Sequence, residues 1–129
     1  MMGEEIKQEW IEVIDYIKRS KGATFAELEN RFGWLGGGDY AIELTDQNLL
    51  LWTGLSQAGI EFYSDRRVKD QIEAGSCHWL LYADDGKVLK MPIAKRVPRG
   101  GYKKQRWAPV AFQEKKRWSH LPPTFTEGE

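Results

Sequence analysis

The stretch CHWLLYADDGKVLKM, residues 77–91, decides how the chain is expected to fold. Two short runs rich in aromatic and branched residues flank Asp84-Asp85-Gly86, a tripeptide that is typical of a tight turn between strands. The pattern therefore predicts a β-hairpin over residues 77–91. What this hairpin belongs to depends on the elements that precede it.

Two helices are predicted near the start of the sequence. The first covers residues 4–20, because its apolar residues recur at helical spacing along one stripe. These residues are Ile6, Trp10, Val13, Ile14 and Ile17. The second helix begins at Thr24, whose hydroxyl can cap a free N–H while Glu27 reaches back in a capping box.

For residues 33–55, the sequence predicts a hairpin or two short extended pieces, since glycine-rich and turn-forming residues separate the apolar runs. A third helix is predicted over about residues 57–74, with Ser56 as its N-cap. Beyond the 77–91 hairpin, prolines interrupt regular structure. Residues 107–112 then return either as an edge strand or as a segment that packs on the core.

Helix, helix, helix, hairpin is the order of elements in winged helix-turn-helix domains, and residues 4–91 resemble that superfamily. The resemblance rests on this order, on the capped second helix and on the DDG hairpin as the wing. It implies an α+β fold whose third helix enters the DNA major groove while the wing touches the backbone. Residues 33–55 are then an insertion between helices two and three. We expect one winged-helix-like domain over residues 1–112 and a basic, then flexible tail over residues 113–129.

Composition places the chain among packed globular proteins, with 41% apolar residues and six tryptophans in 129 residues. The single cysteine excludes an internal disulfide framework, which fits a reducing compartment. The longest strongly apolar run, Leu49–Trp52, is far too short to span a membrane. The acidic, amphipathic N-terminus does not resemble a signal peptide. We therefore expect a soluble cytoplasmic protein.

The formal net charge of zero conceals an asymmetry between the two parts of the chain. Residues 1–86 carry eight Lys/Arg and sixteen Asp/Glu, whereas residues 87–129 carry eleven Lys/Arg and three Asp/Glu. Such polarity indicates a partner surface, commonly one for nucleic acid. The alternative is that the two parts neutralise each other, within the fold or between two copies of the chain.

The candidate nucleic-acid contacts form three groups that follow from this charge pattern. Lysine and arginine heads can neutralise phosphates, and an interleaved aromatic ring can stack on a base. The basic segment supplies Lys95, Arg96, Arg99, Lys103, Lys104, Arg106 and Trp107; the predicted wing supplies Lys87 and Lys90; the third helix supplies Arg66, Arg67 and Lys69 for base readout.

The same residues can also be explained by structural roles that involve no nucleic acid. Trp107 can be a core residue, and the basic heads can be solubility charges or can bind the acidic part of the chain. In the third helix, Asp65 with Lys69 and Arg66 with Asp70 are spaced for ion pairs one turn apart.

Catalytic chemistry is not visible in the sequence. Cys77 and His78 are adjacent in a predicted strand, so their side chains point to opposite faces and cannot form a nucleophile–base pair or a shared metal site. We expect a non-enzymatic protein without cofactor or metal, binding nucleic acid, duplex DNA in the first place, with a regulatory role. The alternative is a protein-interaction or oligomerisation module, such as a homodimer, anchored by Trp34, Trp52 and Trp118.

Overall fold

Two small sheets and five helices make up residues 6–115, the part of the chain that the computed structural model describes. The chain is therefore a mixed α+β protein. In order, the elements are α1 (Gln8–Arg19), β1 (Ala23–Thr24), α2 (Phe25–Arg31), β2 (Gly36–Leu44), β3 (Leu49–Leu55), α3 (Gln57–Ser64), α4 (Arg66–Lys69), β4 (Ile72–Ser76), α5 (Leu80–Asp84), β5 (Arg106–Trp107) and β6 (Val110–Glu114). Short 3₁₀ helices cover Gly33–Leu35 and Thr45–Gln47.

The first sheet has the strand order β1-β6-β4, and both pairings are antiparallel. Its central strand, β6, contains residues 110–112 of the segment predicted to return as an edge strand or to pack on the core; the strand lies at the centre of the sheet, so the edge position is wrong. Phe112 lies opposite Ala23 on one side and Ala74 on the other. The strand continues to Glu114, two residues past the predicted end of the domain. Helix α1 packs on this sheet and buries four of the predicted stripe residues: Trp10, Val13, Ile14 and Ile17.

The second sheet has the order β2-β3-β5. Strands β2 and β3 form an antiparallel hairpin, which is the first of the two alternatives predicted for residues 33–55. Its tip is the 3₁₀ turn Thr45–Gln47 followed by Asn48 in the left-handed region, at φ 58°. Strand β5 lies parallel to β3, with Leu49 opposite Arg106 and Leu50 opposite Trp107.

The predicted helix caps at Thr24 and Ser56 are confirmed. The Thr24 hydroxyl accepts a hydrogen bond from the Glu27 N–H at 2.9 Å, and the Ser56 hydroxyl accepts one from the Gly59 N–H at 2.8 Å. The Glu27 carboxylate, however, accepts a hydrogen bond from the Tyr16 hydroxyl, which ties α2 to α1. Each cap satisfies an otherwise unpaired N–H of the first turn.

The predicted third helix over residues 57–74 is wrong in two respects: it is interrupted at Asp65, and residues 70–74 are not helical. Helix α3 ends at Ser64, and the Asp65 side chain caps the Arg67 N–H at 2.8 Å to begin the four-residue α4. Residues 72–76 form strand β4 because β6 offers their backbone a complete antiparallel ladder. Tertiary pairing of this kind overrides a marginal helical pattern.

The predicted hairpin at residues 77–91, the wing of the winged-helix interpretation, is also wrong. Residues 80–84 form α5, and no described residue from 85 to 91 belongs to a strand. The fully buried Tyr82 determines this geometry, since its hydroxyl donates to the Val110 carbonyl at 2.6 Å and accepts from the Phe25 N–H at 3.3 Å. Asp85 accepts a hydrogen bond from the Thr24 hydroxyl at 2.8 Å. The winged-helix arrangement is therefore not confirmed.

Aromatic rings from both sheets meet in one core. Phe25 lies at its centre and contacts Trp52 in a stacked geometry and Tyr63 and Phe112 edge to face. Burial of the Tyr63 hydroxyl, which has no hydrogen-bond partner among the described residues, raises its pKa well above the ordinary value. Over residues 6–115, no helix has the length and apolar character that crossing a membrane requires.

Candidate nucleic-acid interface

The basic segment is a loop, residues 94–106, whose two ends are fixed on the second sheet; we call it the basic loop. At its start, the Ala94 N–H donates to the Trp107 carbonyl at 2.8 Å, next to a parallel bridge between Ile93 and Trp107. At its end, the Arg106 N–H donates to the Asn48 carbonyl at 3.1 Å. The loop thus leaves the second sheet and returns to it, with both ends hydrogen-bonded there.

Tyr102 holds the interior of the basic loop in place. Its hydroxyl accepts a hydrogen bond from the Lys95 N–H at 3.0 Å and donates one to the Arg96 carbonyl at 2.7 Å. The Asn48 side-chain amide donates to the carbonyls of Tyr102 and Lys103 at 3.2 and 3.1 Å. Tyr102 therefore bonds the first part of the loop, and Asn48 bonds its second part to the hairpin tip.

Two glycines allow the loop to close against that tip. The Gly101 N–H donates to the Pro98 carbonyl at 2.9 Å, and Gly100 occupies the turn between them at φ 84°. Gly101 itself has φ 85°, and a Cβ placed there would lie 2.8 Å from both the Asp46 carbonyl oxygen and the Gln47 Cα. A side chain at this position would push the loop away from the hairpin.

The basic loop carries six cationic residues and no acidic one. Five have exposed side chains, and Arg106 is half-buried with its guanidinium 4.7 Å from the centre of the Tyr102 ring. The six residues are Lys95, Arg96, Arg99, Lys103, Lys104 and Arg106. A concentration of like charge on a fixed backbone creates a positive potential that attracts polyanions.

The aromatic residues of this region serve the fold. Trp107, a predicted stacking residue, is fully buried and packs edge to face on Tyr82, so it cannot contact a base in this structure. The hydroxyl of Tyr102 is occupied by the loop backbone, and its ring carries the Arg106 guanidinium. The loop therefore presents charge and no platform of exposed rings.

The residues predicted on a wing are placed elsewhere. Lys87 forms an ion pair with Glu29 at 3.0 Å, and the same carboxylate accepts a hydrogen bond from the Trp52 indole N–H at 2.8 Å. Lys87 thus holds the chain after α5 against α2. Lys90 is exposed and lies in an irregular segment.

The third predicted group lies on α4. Arg66 and Lys69 are exposed, whereas Arg67 is half-buried and bonds the Asp65 carboxylate through Nε at 3.1 Å and Nη2 at 3.0 Å. Its guanidinium also lies 5.9 Å from the Trp10 ring centre. Hydrogen bonding to Arg67 lowers the pKa of Asp65. This contact replaces the predicted Asp65–Lys69 pair.

Helix α4 and the basic loop pack against different sheets. Helix α4 packs on α3 and β4, and β4 belongs to the first sheet. The basic loop packs on Asp46, Gln47 and Asn48 at the tip of the second sheet's hairpin. The contacts within residues 6–115 therefore do not unite the two predicted groups into one site.

An exposed apolar surface was not predicted from the sequence. Trp79, Leu80, Leu81 and Val88 are exposed by 36, 51, 43 and 42%, respectively. In a half-buried strand, alternate residues of this stretch would face inward, so the helical turn of α5 was needed to reveal the surface.

The aromatic anchors predicted for protein interaction lie elsewhere. Trp34 packs edge to face on Phe62, and Trp52 is buried at 3% exposure. Trp118 lies outside the described residues. Neither Trp34 nor Trp52 is therefore an exposed anchor in this structure.

Cys77 and His78 do not form a reactive pair. Burial raises the pKa of the Cys77 thiol to about 11, so it is protonated near neutral pH. The His78 Nδ1 accepts a hydrogen bond from the Leu80 N–H at 3.2 Å, at the start of α5. The arrangement supports the α5 turn and offers no activated nucleophile.

Comparison with known proteins provides no relative from which a role can be transferred to these residues. No protein-family model, no curated protein and no solved structure matches the chain.

Proposed function

We propose that this is a non-enzymatic nucleic-acid-binding protein that binds the phosphate backbone of duplex DNA through the basic loop. One observation carries the proposal: six cationic residues, without an acid among them, stand on a loop whose backbone is fixed by Tyr102 and Asn48. Each cation that meets a phosphate releases condensed counterions, which supplies affinity without base contacts.

The fixed backbone matters because binding normally costs the entropy of ordering a loop. Tyr102 and the hairpin tip already hold residues 95–104 in place. The entropy lost when a polyanion binds is therefore mainly that of the charged side-chain ends. A mobile tail with the same charge would bind more weakly per cation. The hydrogen-bonded backbone favours a binding role for the basic loop over an incidental cluster of solubility charges.

Duplex is favoured over single-stranded nucleic acid because the loop lacks exposed rings. Proteins that bind single strands combine a basic groove with aromatic platforms for unpaired bases. Here Trp107 is buried and Tyr102 is engaged within the loop. Contacts to phosphates carry little sequence information, so binding is expected to tolerate many sequences.

A winged-helix mode of docking receives no support from the elements present. That mode needs a hairpin over residues 77–91 as the wing, and α5 occupies the place where its first strand was predicted. The proposal therefore assigns DNA to the basic loop and gives Arg66, Arg67 and Lys69 no part in it.

Titration of a short duplex with the full chain at several salt concentrations tests the proposal. If about five phosphates are contacted, the slope of log K against log salt is about −4 to −5. The double variant Lys103→Ala/Lys104→Ala removes two exposed cations and should flatten the slope by about 2. The double variant Arg19→Ala/Lys21→Ala is the matched control, since it removes two exposed cations near the end of α1.

Two results would overturn the proposal. One is absence of duplex binding at low salt; the other is an equal loss of affinity in the Lys103/Lys104 and Arg19/Lys21 variants. A single strand of the same length, titrated in parallel, tests the choice of duplex. Tighter binding of the single strand would contradict that choice.

A further inference from the structure

We propose that the chain forms a homodimer through the exposed apolar surface of Trp79, Leu80, Leu81 and Val88, which we call the α5 patch. The inference does not depend on the proposed function. It rests on the exposure of these four side chains, on the hydrogen bonds that anchor the segment carrying them, and on the charges at its rim.

The patch concentrates apolar exposure in one short segment. Within residues 6–115, six large hydrophobic side chains are exposed, and four of them lie between residues 79 and 88. Scattered exposed apolar residues need no explanation, but a group of them in one short segment marks an interaction surface. Trp79, the N-cap residue, and Leu80 and Leu81 in the first turn are all exposed at the start of α5.

The patch is preformed because hydrogen bonds on the buried side of α5 attach the helix to the core. Tyr82 is fully buried and bonded to the Val110 carbonyl at 2.6 Å, and Asp85 bonds the Thr24 hydroxyl at 2.8 Å. The Lys87 N–H then donates to the Tyr82 carbonyl at 3.2 Å, which turns the chain back beside α5. Leu80 and Leu81 are therefore presented on a fixed turn and need little reorganisation to bind.

The rim of the patch carries one acid and one base whose side chains have no bonding partner within residues 6–115. Asp84 follows Leu80 and Leu81 by four and three residues, so it shares their face of α5. Lys90 follows Val88 by two residues, and both side chains are exposed, whereas Leu89 between them is half-buried. Both charged side chains are exposed, and neither bonds another described residue.

This pairing of charges identifies a second copy of the chain as the occupant. In a two-fold contact, the same surface meets itself, so Asp84 of each copy can reach Lys90 of the other. A partner of uniform charge would leave one rim residue opposed by a like charge. The net charge of zero also removes long-range repulsion between copies.

The mass of the full chain, measured by sedimentation equilibrium over a range of concentrations without nucleic acid, tests the inference. We expect a reversible shift toward twice 14.9 kDa. Leu80→Asp should raise the dimer dissociation constant by about tenfold or more, because it places a charge in the apolar centre. Tyr40→Asp is the matched control, since Tyr40 is 50% exposed on β2, outside the patch.

A charge exchange makes the test independent of any folding defect in Leu80→Asp. Asp84→Lys and Lys90→Asp should each weaken the dimer, whereas the double variant Asp84→Lys/Lys90→Asp should regain most of the lost affinity. A monomeric mass at every concentration, a dimer that survives Leu80→Asp, or a double variant as weak as the single variants would each overturn the proposal. The absence of nucleic acid keeps this result separate from the DNA titration.

Discussion

Gly101 and Gln47 approach each other so closely that a Cβ on Gly101 would lie 2.8 Å from the Gln47 Cα. The contact joins two segments that are 54 residues apart in sequence, the basic loop and the tip of the β2–β3 hairpin. The neighbouring bond from the Tyr102 N–H to the Gln47 carbonyl, at 3.1 Å, depends on the same approach. The shape of the basic loop is thus set by a glycine that carries no charge.

We expect Gly101→Ala to weaken duplex binding by about tenfold, since the loop loses its preformed shape although no cation is removed. The methyl group would clash with backbone atoms of Asp46 and Gln47, which cannot move as a side chain can. Fluorescence titration of the labelled duplex measures the effect on affinity, and urea denaturation measures the effect on stability.

Gly100→Ala is the control for backbone strain alone. Gly100 has nearly the same dihedral, φ 84°, but a Cβ there meets no atom within 4 Å. In both variants, an alanine in the left-handed conformation should lower the free energy of unfolding by about 1–2 kcal/mol. Only in Gly101→Ala should the new methyl group also clash with the backbone of Asp46 and Gln47. Equal affinities for the two variants would show that the contact with the hairpin tip does not shape the binding surface.

Removing the Glu29 carboxylate should destabilise the fold more than removing its ion-pair partner, Lys87. Glu29 is 8% exposed as a side chain, and it accepts the indole N–H of the buried Trp52. Glu29→Ala leaves that donor unsatisfied and should lower the free energy of unfolding by about 1–3 kcal/mol. Lys87→Ala should cost less, about 0–1 kcal/mol, because the Lys87 side chain is 42% exposed and its charge is screened by water.

Urea denaturation of both variants and of Glu29→Gln separates the two interactions. Glu29→Gln keeps an oxygen that can accept from Trp52 but loses the charge, so it should resemble Lys87→Ala more than Glu29→Ala. If Lys87→Ala destabilises as much as Glu29→Ala, the ion pair, and not the indole bond, holds the carboxylate in place.

Cys77 should react slowly with alkylating agents in the folded protein. Burial raises its pKa to about 11 from an ordinary value of 9.0, and only the thiolate attacks. At pH 8, the rate of iodoacetamide labelling should be about a hundredfold lower than in urea-unfolded chain, which follows from the smaller thiolate fraction. Equal rates in the two states would contradict the burial of the thiol.

The same pKa difference gives a pH dependence with a definite sign. Below about pH 9 the thiol is neutral in both states, so the contribution of Cys77 to stability is complete. Between about pH 9 and 11 the unfolded thiol ionises first, and this contribution is lost as the pH rises. The stability difference between the unmodified chain and Cys77→Ala should therefore shift in favour of Cys77→Ala over this range, measured by urea denaturation.

Local signals in the sequence predicted the parts of the fold that local interactions determine. The period of α1 and the hydroxyl caps at Thr24 and Ser56 involve residues within one helical turn. Such features need no knowledge of the rest of the chain. For residues 33–55, turn residues between apolar runs predicted extended structure, and they left open whether the two pieces pair as the hairpin that forms.

Distant partners determined the parts that were predicted wrongly. Residues 72–76 pair with β6, almost forty residues later in the sequence, and Tyr82 owes its position to Val110 and Phe25. A pattern read in a window of ten residues contains none of these contacts. The charges of the basic loop were visible in the sequence, but its attachment to Gln47 and Asn48 was not.

The central place of β6 has a consequence for how the protein folds. Residues 110–114 lie between β1 and β4, so the first sheet cannot close until nearly all of the described chain is available. During synthesis, the backbone N–H and C=O groups of β1 and β4 that pair with β6 stay unpaired until β6 has been synthesised. Pairing across such separations carries a large entropic cost of loop closure and slows folding. The time before residue 114 leaves the ribosome is therefore the period in which this protein is most exposed to aggregation.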